Sequence, residues 1–369
     1  MSEELLNIKR SSRDPEQLRQ SLEAWLARQL PRGAQPRIPE VSSPSSSGMS
    51  SETLLFDAHW TEDGAERSGE FVARVEPGAG DVPVFPEYDL QAQFEVMRRV
   101  ARRGAIPVPR VLWLELDPGP IGAPFFVMER LCGRVPPDVM PYNMGSWLSE
   151  AAPADRQRLE HATVGVLAKL HGIDVEKDDW GFLEFDLPGD TPLRRHVENQ
   201  RRYYAWARED RRHAVLERAF DWLEAHWPDD SGPAVLSWGD SRIGNVMYGE
   251  WEPVAVLDWE MAALGPRELD IGWLVFMHAF FEGIAGQLGL PGLPDFLRPE
   301  NVAAHYATLT GYQPADLPWY QVYAALRHGI VMSRVRARQV HFGEDVWPDD
   351  PDEAIPHCAA LRAMLDTSD

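Results

Sequence analysis

Leu236-Ser-Trp-Gly-Asp240-Ser-Arg-Ile-Gly-Asn245-Val246, continued by Val254-Ala-Val-Leu-Asp258-Trp-Glu260, decides how this chain is read. It reads as an apolar strand, a loop holding Asp240 and Asn245, and a second apolar strand that ends in Asp258. Moving a phosphoryl group to a hydroxyl needs a carboxylate to orient or deprotonate that hydroxyl, and oxygen ligands to hold Mg²⁺ on the nucleotide phosphates. The pattern assigns Asp240 as the base and Asn245 and Asp258 as the metal ligands. One amide and one carboxylate suit Mg²⁺, which usually takes one or two protein carboxylates and completes its octahedron with water and phosphate. Gly239 and Gly244 flank the loop where the backbone must turn or approach a ligand closely. An isolated Asp-Asn pair is ordinarily turn chemistry. The ordered series of strand, W-G-D-x-x-x-x-N, turn through residues 249–253, strand and D-W-E favours the catalytic reading.

With these motifs the chain resembles the aminoglycoside phosphotransferase family, whose kinase-like fold carries H-G-D-x-x-x-x-N and then an aspartate on the next strand. The likeness runs from about residue 45 to about residue 342. It implies an α+β, two-lobed protein-kinase-like fold, with a small N-terminal β-sheet lobe and a mainly helical C-terminal lobe. It implies ATP and Mg²⁺ as cofactors, and a small-molecule hydroxyl as acceptor, with aminoglycosides among the options. Trp238 stands where the family usually has His, which puts acceptor class in question more than reaction type. Residues 265–274 match the family's G-x-P-x-x-D-x-x-W region. Asp270 is expected there to brace the catalytic loop from a helix start, where a carboxylate suits the exposed N–H groups.

The same resemblance points to a nucleotide site in the N-terminal part. Ser47 and Gly48, in the serine-rich run 45–52, stand where a phosphate lid belongs, although such composition also suits a flexible linker. The run precedes two strand-like segments, 53–60 and 69–75, as a kinase hairpin requires. Arg74 takes the place of the more common Lys and keeps a cation for phosphate. On the following helix Gln93 stands where Glu is common, and Glu95 is a second candidate in a shifted register. Residues 124–133 resemble the hinge strand. By that likeness adenine meets backbone groups of Glu129 and Leu131, with Met128 packed behind the ring.

A chain of 369 residues that is 44% hydrophobic can bury a substantial core. The expected divisions are an N-terminal helical extension over 1–41, a nucleotide-binding lobe over 42–131 and a catalytic and substrate-binding lobe over 132–369. Helices are expected from Asp14-Pro15 with Leu18, Leu22, Trp25 and Leu26 as the buried stripe, and over 89–103, 154–171, 192–209, 213–227, 270–288, 299–310 and 318–340. His171 reads as a helix-end cation or a core hydrogen-bond partner.

The formal charge of -22, from 58 acidic against 36 basic residues, argues against nucleic acid or an anionic membrane as partner. It is compatible with a cationic acceptor, and equally with plain solubility. Only Cys132 and Cys358 occur, without zinc or disulfide spacing. No secretory signal opens the chain, and the apolar window 271–281 is too short to span a bilayer, so a cytoplasmic protein is expected.

The acidic run 344–353 reads either as part of an acceptor pocket or as a charged surface loop. Arg327, Arg334, Arg336 and Arg338 read as an anion site or as partners of surface acids. Two further functions stay open: a kinase for a metabolite hydroxyl such as a hydroxyacyl-CoA, and a catalytically silent nucleotide-binding module, the latter suggested by the residues at 74, 93 and 238.

Overall fold

The computed structural model describes residues 14–43, 51–78, 81–177 and 179–367. Helix α1, Pro15–Gln29, starts where the Asp14 carboxylate accepts the Gln17 amide at 2.8 Å and proline fills the first turn. Leu18, Leu22, Trp25 and Leu26 follow at helical spacing and are buried against a sheet.

That sheet has the order β1-β2-β3-β5-β4, from Val41–Ser42, Glu52–Glu62, Ala65–Val75, Phe125–Glu129 and Val111–Glu115 (β4), with antiparallel neighbours throughout. The β2–β3 hairpin is longer than 53–60 and 69–75. Asp63 and Gly64, at φ 52° and 77°, form a two-residue turn of the kind that continues strand twist, so the ladder runs on to Glu62↔Ala65. Residues 61–68 are almost wholly exposed, so they lack the apolar alternation that signals a strand.

Period-two alternation sorts β3 between two environments. Phe71, Ala73 and Val75 join the α1 core, whereas Val72 packs into the other cluster and Arg74 reaches the cleft from that same face. Helix α2, Leu90–Arg103, lies on the cleft side; Asp89 caps its start and Gly104, at φ 62°, ends it.

The C-terminal part is mainly helical: α3 (Pro153–Leu170), α4 (Pro192–Ala207), α5 (Ala214–Ala225), α6 (Glu268–Gln287), α7 (Pro299–Thr310), α8 (Leu317–His341) and α9 (Cys358–Asp366). The last was not expected from sequence; it buries Cys358, Leu361 and Leu365. Two short ribbons interrupt the helices: β6 (Val235–Ser237) pairs with β9 (Ala263–Gly265), and β7 (Val246–Gly249) with β8 (Glu252–Val256). The apolar window 271–281 belongs to the 20-residue α6, which is long and apolar enough to cross a membrane by length and composition. Here α6 is a core helix, with every residue from 268 to 278 buried.

The connection from β3 to α2 fastens one part to the other. Val84 is buried, its carbonyl accepts the Tyr203 hydroxyl at 2.8 Å, and Arg334 donates to the Pro83 carbonyl at 3.1 Å.

Trp25 sets the expected weight of α1. It is buried edge-on against Trp113 and Phe125, with Nε1 donating to Glu115. Trp25→Ala is expected to lower stability by about 3–5 kcal/mol in urea titrations. A loss well under about 1 kcal/mol would mean that the helix adds little to the sheet's core.

Candidate active site

Strand β6 leads into the loop at Trp238, and the loop ends in β7, so Asp240 and Asn245 hang between two strands. Gly239 sits at φ +91°, and a Cβ there would lie 2.0 Å from the Met261 carbonyl oxygen, so no other residue fits this backbone. Asp240 and Asn245 are both nearly buried, at 8% and 6% exposure.

Four donor contacts reach the Asp240 carboxylate. Arg242 Nε lies 3.1 Å from each oxygen, Asn245 Nδ2 donates to Oδ2 at 2.7 Å, and Trp273 Nε1 donates to Oδ1 at 2.7 Å. Asn245 Nδ2 also meets the Asp240 carbonyl at 3.1 Å, so its amide turns nitrogen toward Asp240 and oxygen away from it.

Asp258 is brought beside this loop by backbone and side-chain bonds. The Leu257 amide donates to the Asn245 carbonyl at 2.8 Å, and Trp238 Nε1 donates to the carbonyls of Leu257 and Asp258 at 2.9 and 3.0 Å. Asp258 has φ 58°, a left-handed conformation rare outside glycine and often found at functional sites.

Arg74 approaches from the sheet. Its guanidinium bonds Thr53 Oγ1 at 3.0 Å and Asp258 Oδ1 at 3.2 Å, with Glu260 at 3.8 Å. It meets neither Gln93 nor Glu95. Gln93 lies on the buried face of α2 with Val96, Met97 and Val100, and Glu95 is paired with Arg98 and Arg99 on its own helix. Both offsets, i to i+3 and i to i+4, satisfy Glu95 locally.

Asp270 takes the bracing position. Fully buried at the start of α6, it accepts Ser237 Oγ at 2.9 Å, the Trp238 and Gly239 amides at 2.8 Å each, and His171 Nε2 at 3.0 Å. His171 Nδ1 lies 2.8 Å from the Tyr306 hydroxyl on its other side. Burial alone would raise the Asp270 carboxyl, but His171 and the two loop amides outweigh it and hold the group below its ordinary value.

At the hinge, the Glu129 amide already donates to the Arg110 carbonyl at 3.0 Å, so its N–H is not open to a base. Among the described residues, the Leu131 amide and carbonyl bond no other backbone group. Met128 is buried under the strand, and Ser47 and Gly48 lie outside the described residues.

Several participants escaped the sequence reading. Arg242 lies among the unspecified positions of the motif and also pairs with Asp138, from the segment after the hinge. Arg327, expected from sequence in an anion site or paired with surface acids, is instead buried on α8, where it donates to the Gly239 carbonyl at 3.1 Å and covers the Trp273 ring at 4.6 Å. For Trp273 a signal existed: it stands three residues after Asp270, so one helix face presents both side chains to the catalytic loop.

The model of the phosphotransferase enzyme family matches residues 51–299, a span that includes the hairpin, the hinge, the base and both metal-ligand candidates. The chain belongs to that family. The solved structures it is similar to include a Ralstonia eutropha protein assigned to the aminoglycoside phosphotransferases, at 23% identity and a TM-score of 0.64, with 94% of this chain and 96% of that one covered. They include aminoglycoside phosphotransferase APH(4)-Ia in a ternary complex with ADP and hygromycin B, at 16% identity and a TM-score of 0.54, with coverage of 93% and 98%. A macrolide 2′-phosphotransferase from Brachybacterium faecium aligns at 18% identity and a TM-score of 0.53, with coverage of 96% and 99%. At these identities the likeness is one of fold, and the fold is the two-lobed kinase-like one.

Curated relatives are of another kind. The acyl-CoA dehydrogenase family member 11 of Gallus gallus is 30% identical over 260 residues, 69% of this chain and 30% of that protein. A probable acyl-CoA dehydrogenase of Arabidopsis thaliana, IBR3, is 27% identical over 261 residues, 67% of this chain and 31% of that protein. The chain thus spans about a third of the length of these relatives.

Removing the brace is the direct test of this architecture. Asp270→Ala leaves the loop amides and His171 without their acceptor and is expected to destabilise the protein by about 3–5 kcal/mol. The sign with pH follows from the depressed carboxyl. Its contribution is present above the ordinary carboxylate range and is lost as pH falls through the folded-state value, so the variant's stability should fall less steeply on acidification, measured by thermal melts from neutral to acid pH.

Proposed function

We propose that this phosphotransferase moves the γ-phosphate of ATP, with Mg²⁺, to a hydroxyl of a small metabolite, with a hydroxyacyl thioester such as a hydroxyacyl-CoA as the preferred acceptor class over an aminoglycoside. The observation that carries the reaction type is the hydrogen bond between Asp240 and Asn245 beside Asp258, with Arg74 reaching Asp258 from the opposite lobe. A base, two oxygen ligands and a phosphate-type cation converge there.

The donor set fits Mg²⁺. Asn245 turns its nitrogen to Asp240, which leaves its oxygen as a hard donor, and Arg74 occupies Oδ1 of Asp258. Mg²⁺ characteristically takes one or two protein oxygen ligands and completes its shell with water and phosphate. Bound there, Mg²⁺ would neutralise charge on the transferring phosphates. Asp240 orients the acceptor hydroxyl and takes its proton, Trp273 and Asn245 hold the carboxylate in place, and Arg74 steadies the nucleotide phosphates.

The acceptor class rests on the surroundings of the base. Three carboxylates of the acidic run are paired inside the chain, Asp345 to Arg336, Asp350 to the turn at 350–354 and to Arg362, and Asp352 to the Val215 amide and Arg362, while Glu344, Asp349 and Glu353 are exposed. The paired three are poorly placed to receive a polycation. Behind Trp273 the core packing is aromatic, with His328 4.8 Å from the Phe280 ring and 4.9 Å from the His357 ring. Burial, the neighbouring His357 and the Arg242 charge push His328 well below its ordinary value, so it stays neutral. Val139 and Met140, directly after Asp138, are exposed. An apolar border suits an acyl chain, and the relatives named for acyl-CoA dehydrogenation support thioester chemistry.

Asp240→Asn is expected to lower phosphoryl transfer about 10²–10⁴-fold while Mg-ATP binding stays within a few-fold of the parent. Turnover at the parental rate would remove Asp240 from the chemistry. The acceptor is tested with labelled ATP and a panel of hydroxyacyl thioesters and kanamycin-type sugars. Label in the sugars alone would overturn the thioester assignment.

A further inference from the structure

Three N–H groups crowd the Asp240 carboxylate, and one of them is spread over both of its oxygens. A carboxylate offers about four acceptor sites on its two oxygens. Oδ1 of Asp240 takes Arg242 Nε and Trp273 Nε1, and Oδ2 takes Arg242 Nε and Asn245 Nδ2. Three N–H groups thus make four contacts, and the Arg242 N–H, split between both oxygens, is the one an incoming hydroxyl must compete with.

The donors differ in how firmly they are held. Trp273 is buried in α6 beneath Arg327, and Asn245 is fixed by its second bond to the Asp240 carbonyl. Arg242 is the outlier. It spreads one N–H over both oxygens at 3.1 Å, longer than the 2.7 Å of the other two donors. Its other end is anchored by Asp138.

The anchor is itself incompletely satisfied. Asp138 Oδ1 is buried without a hydrogen-bond partner among the described residues, and it faces Gly244, where a Cβ would come within 2.4 Å of it and 2.8 Å of Arg242. A larger residue at 244 would require the Asp138–Arg242 pair to shift.

We infer that Arg242 is a displaceable clamp on the catalytic base, held on Asp240 by Asp138 and drawn off by the nucleotide phosphates, an inference that rests on the phosphotransferase reading. Arginine is suited to such an exchange because its planar fork matches carboxylate and phosphate alike. Burial opposes its charge, but Asp240, Asp138 and Asp258 hold the guanidinium above its ordinary value, so it remains a cation throughout.

Once Arg242 turns to phosphate, an Asp240 oxygen is open to the acceptor. The acceptor O–H bond breaks and its proton passes to Asp240. The oxygen then forms a bond to the γ-phosphorus, and the bond to the bridging oxygen breaks with its electron pair leaving on ADP. The base is thereby freed only when the phosphoryl donor is present.

The test is calorimetric binding of Mg²⁺ with a non-hydrolysable ATP analogue to the parent, Arg242→Met and Asp138→Asn, with melting curves for each. Arg242→Met is expected to weaken binding about tenfold, the loss of one charge-assisted contact. Asp138→Asn, which loosens the anchor and keeps the arginine, is expected to tighten binding severalfold. A purely structural ion pair would weaken or leave unchanged the binding of both, and either result for Asp138→Asn overturns the clamp. Should Arg242→Met fail to fold, Asp138→Asn decides alone. A parent that binds no nucleotide defeats the phosphotransferase reading and the clamp together, whereas normal parental binding with unmoved variants defeats the clamp alone.

Discussion

A carboxylate cut off from water organises the catalytic end of this molecule. Asp270 has no solvent to hold its charge, so its surroundings must do so, and a buried charge survives only where hydrogen bonds replace its hydration. The Trp238 and Gly239 amides, the Ser237 hydroxyl and His171 supply them, and the loop takes its course as a result. Because His171 ends α3 and bonds Tyr306 of α7, and Asp270 starts α6, three helices are referenced to one point. The left-handed turn at Gly239 is held from both sides, by Asp270 at its N–H and by Arg327 at its carbonyl.

Around that fixed point the cleft keeps a balance of charges. Asp138, Asp240, Asp258 and Glu260 face Arg74 and Arg242, and each arginine is shared between two acids. Ion pairs this deeply placed contribute little net stability over apolar packing. Their effect is orientation: Arg74 spans from the sheet to the helical part, so its pairing also sets how the lobes meet. The strap at residues 83–84 joins them independently, through α4 and α8. A cleft closed by polar contacts of this sort can exchange carboxylate for phosphate without disturbing an apolar core.

Most of the fold was legible because its elements carry strong local signals. Helices α1 and α2 announce themselves by Asp caps and apolar stripes, and β5 by an unbroken apolar run between glycine-rich turns. The hairpin ends were not, since solvent-exposed strands have no apolar alternation to read. Within the site, Asp240, Asn245 and Asp258 stood out by spacing, and Asp270 by its place at a helix start. Arg242 and Asp138 did not, because their partnership joins residues far apart in the chain and only folding brings them together. Gln93 was misplaced for the converse reason. Position along a helix suggested a partner for Arg74, while the geometry of the cleft offered Asp258 instead.

Trp238 sharpens what the motif means. A bulky residue in place of His invites the expectation of an altered acceptor, and its side chain is fully buried against the segment that follows β8. Its indole N–H bridges the carbonyls of Leu257 and Asp258, at the very residue whose φ of 58° needs external support. An imidazole at this position would have to place one ring nitrogen at the same two carbonyls from a smaller ring. The residue at 238 therefore acts on how the backbone at Asp258 is held beside the Asp240 loop. On the other side of the loop, Trp273 Nε1 holds the Asp240 carboxylate while its ring packs on His328, which in turn packs on Phe280, so that carboxylate is positioned from the buried core of α6 and α8.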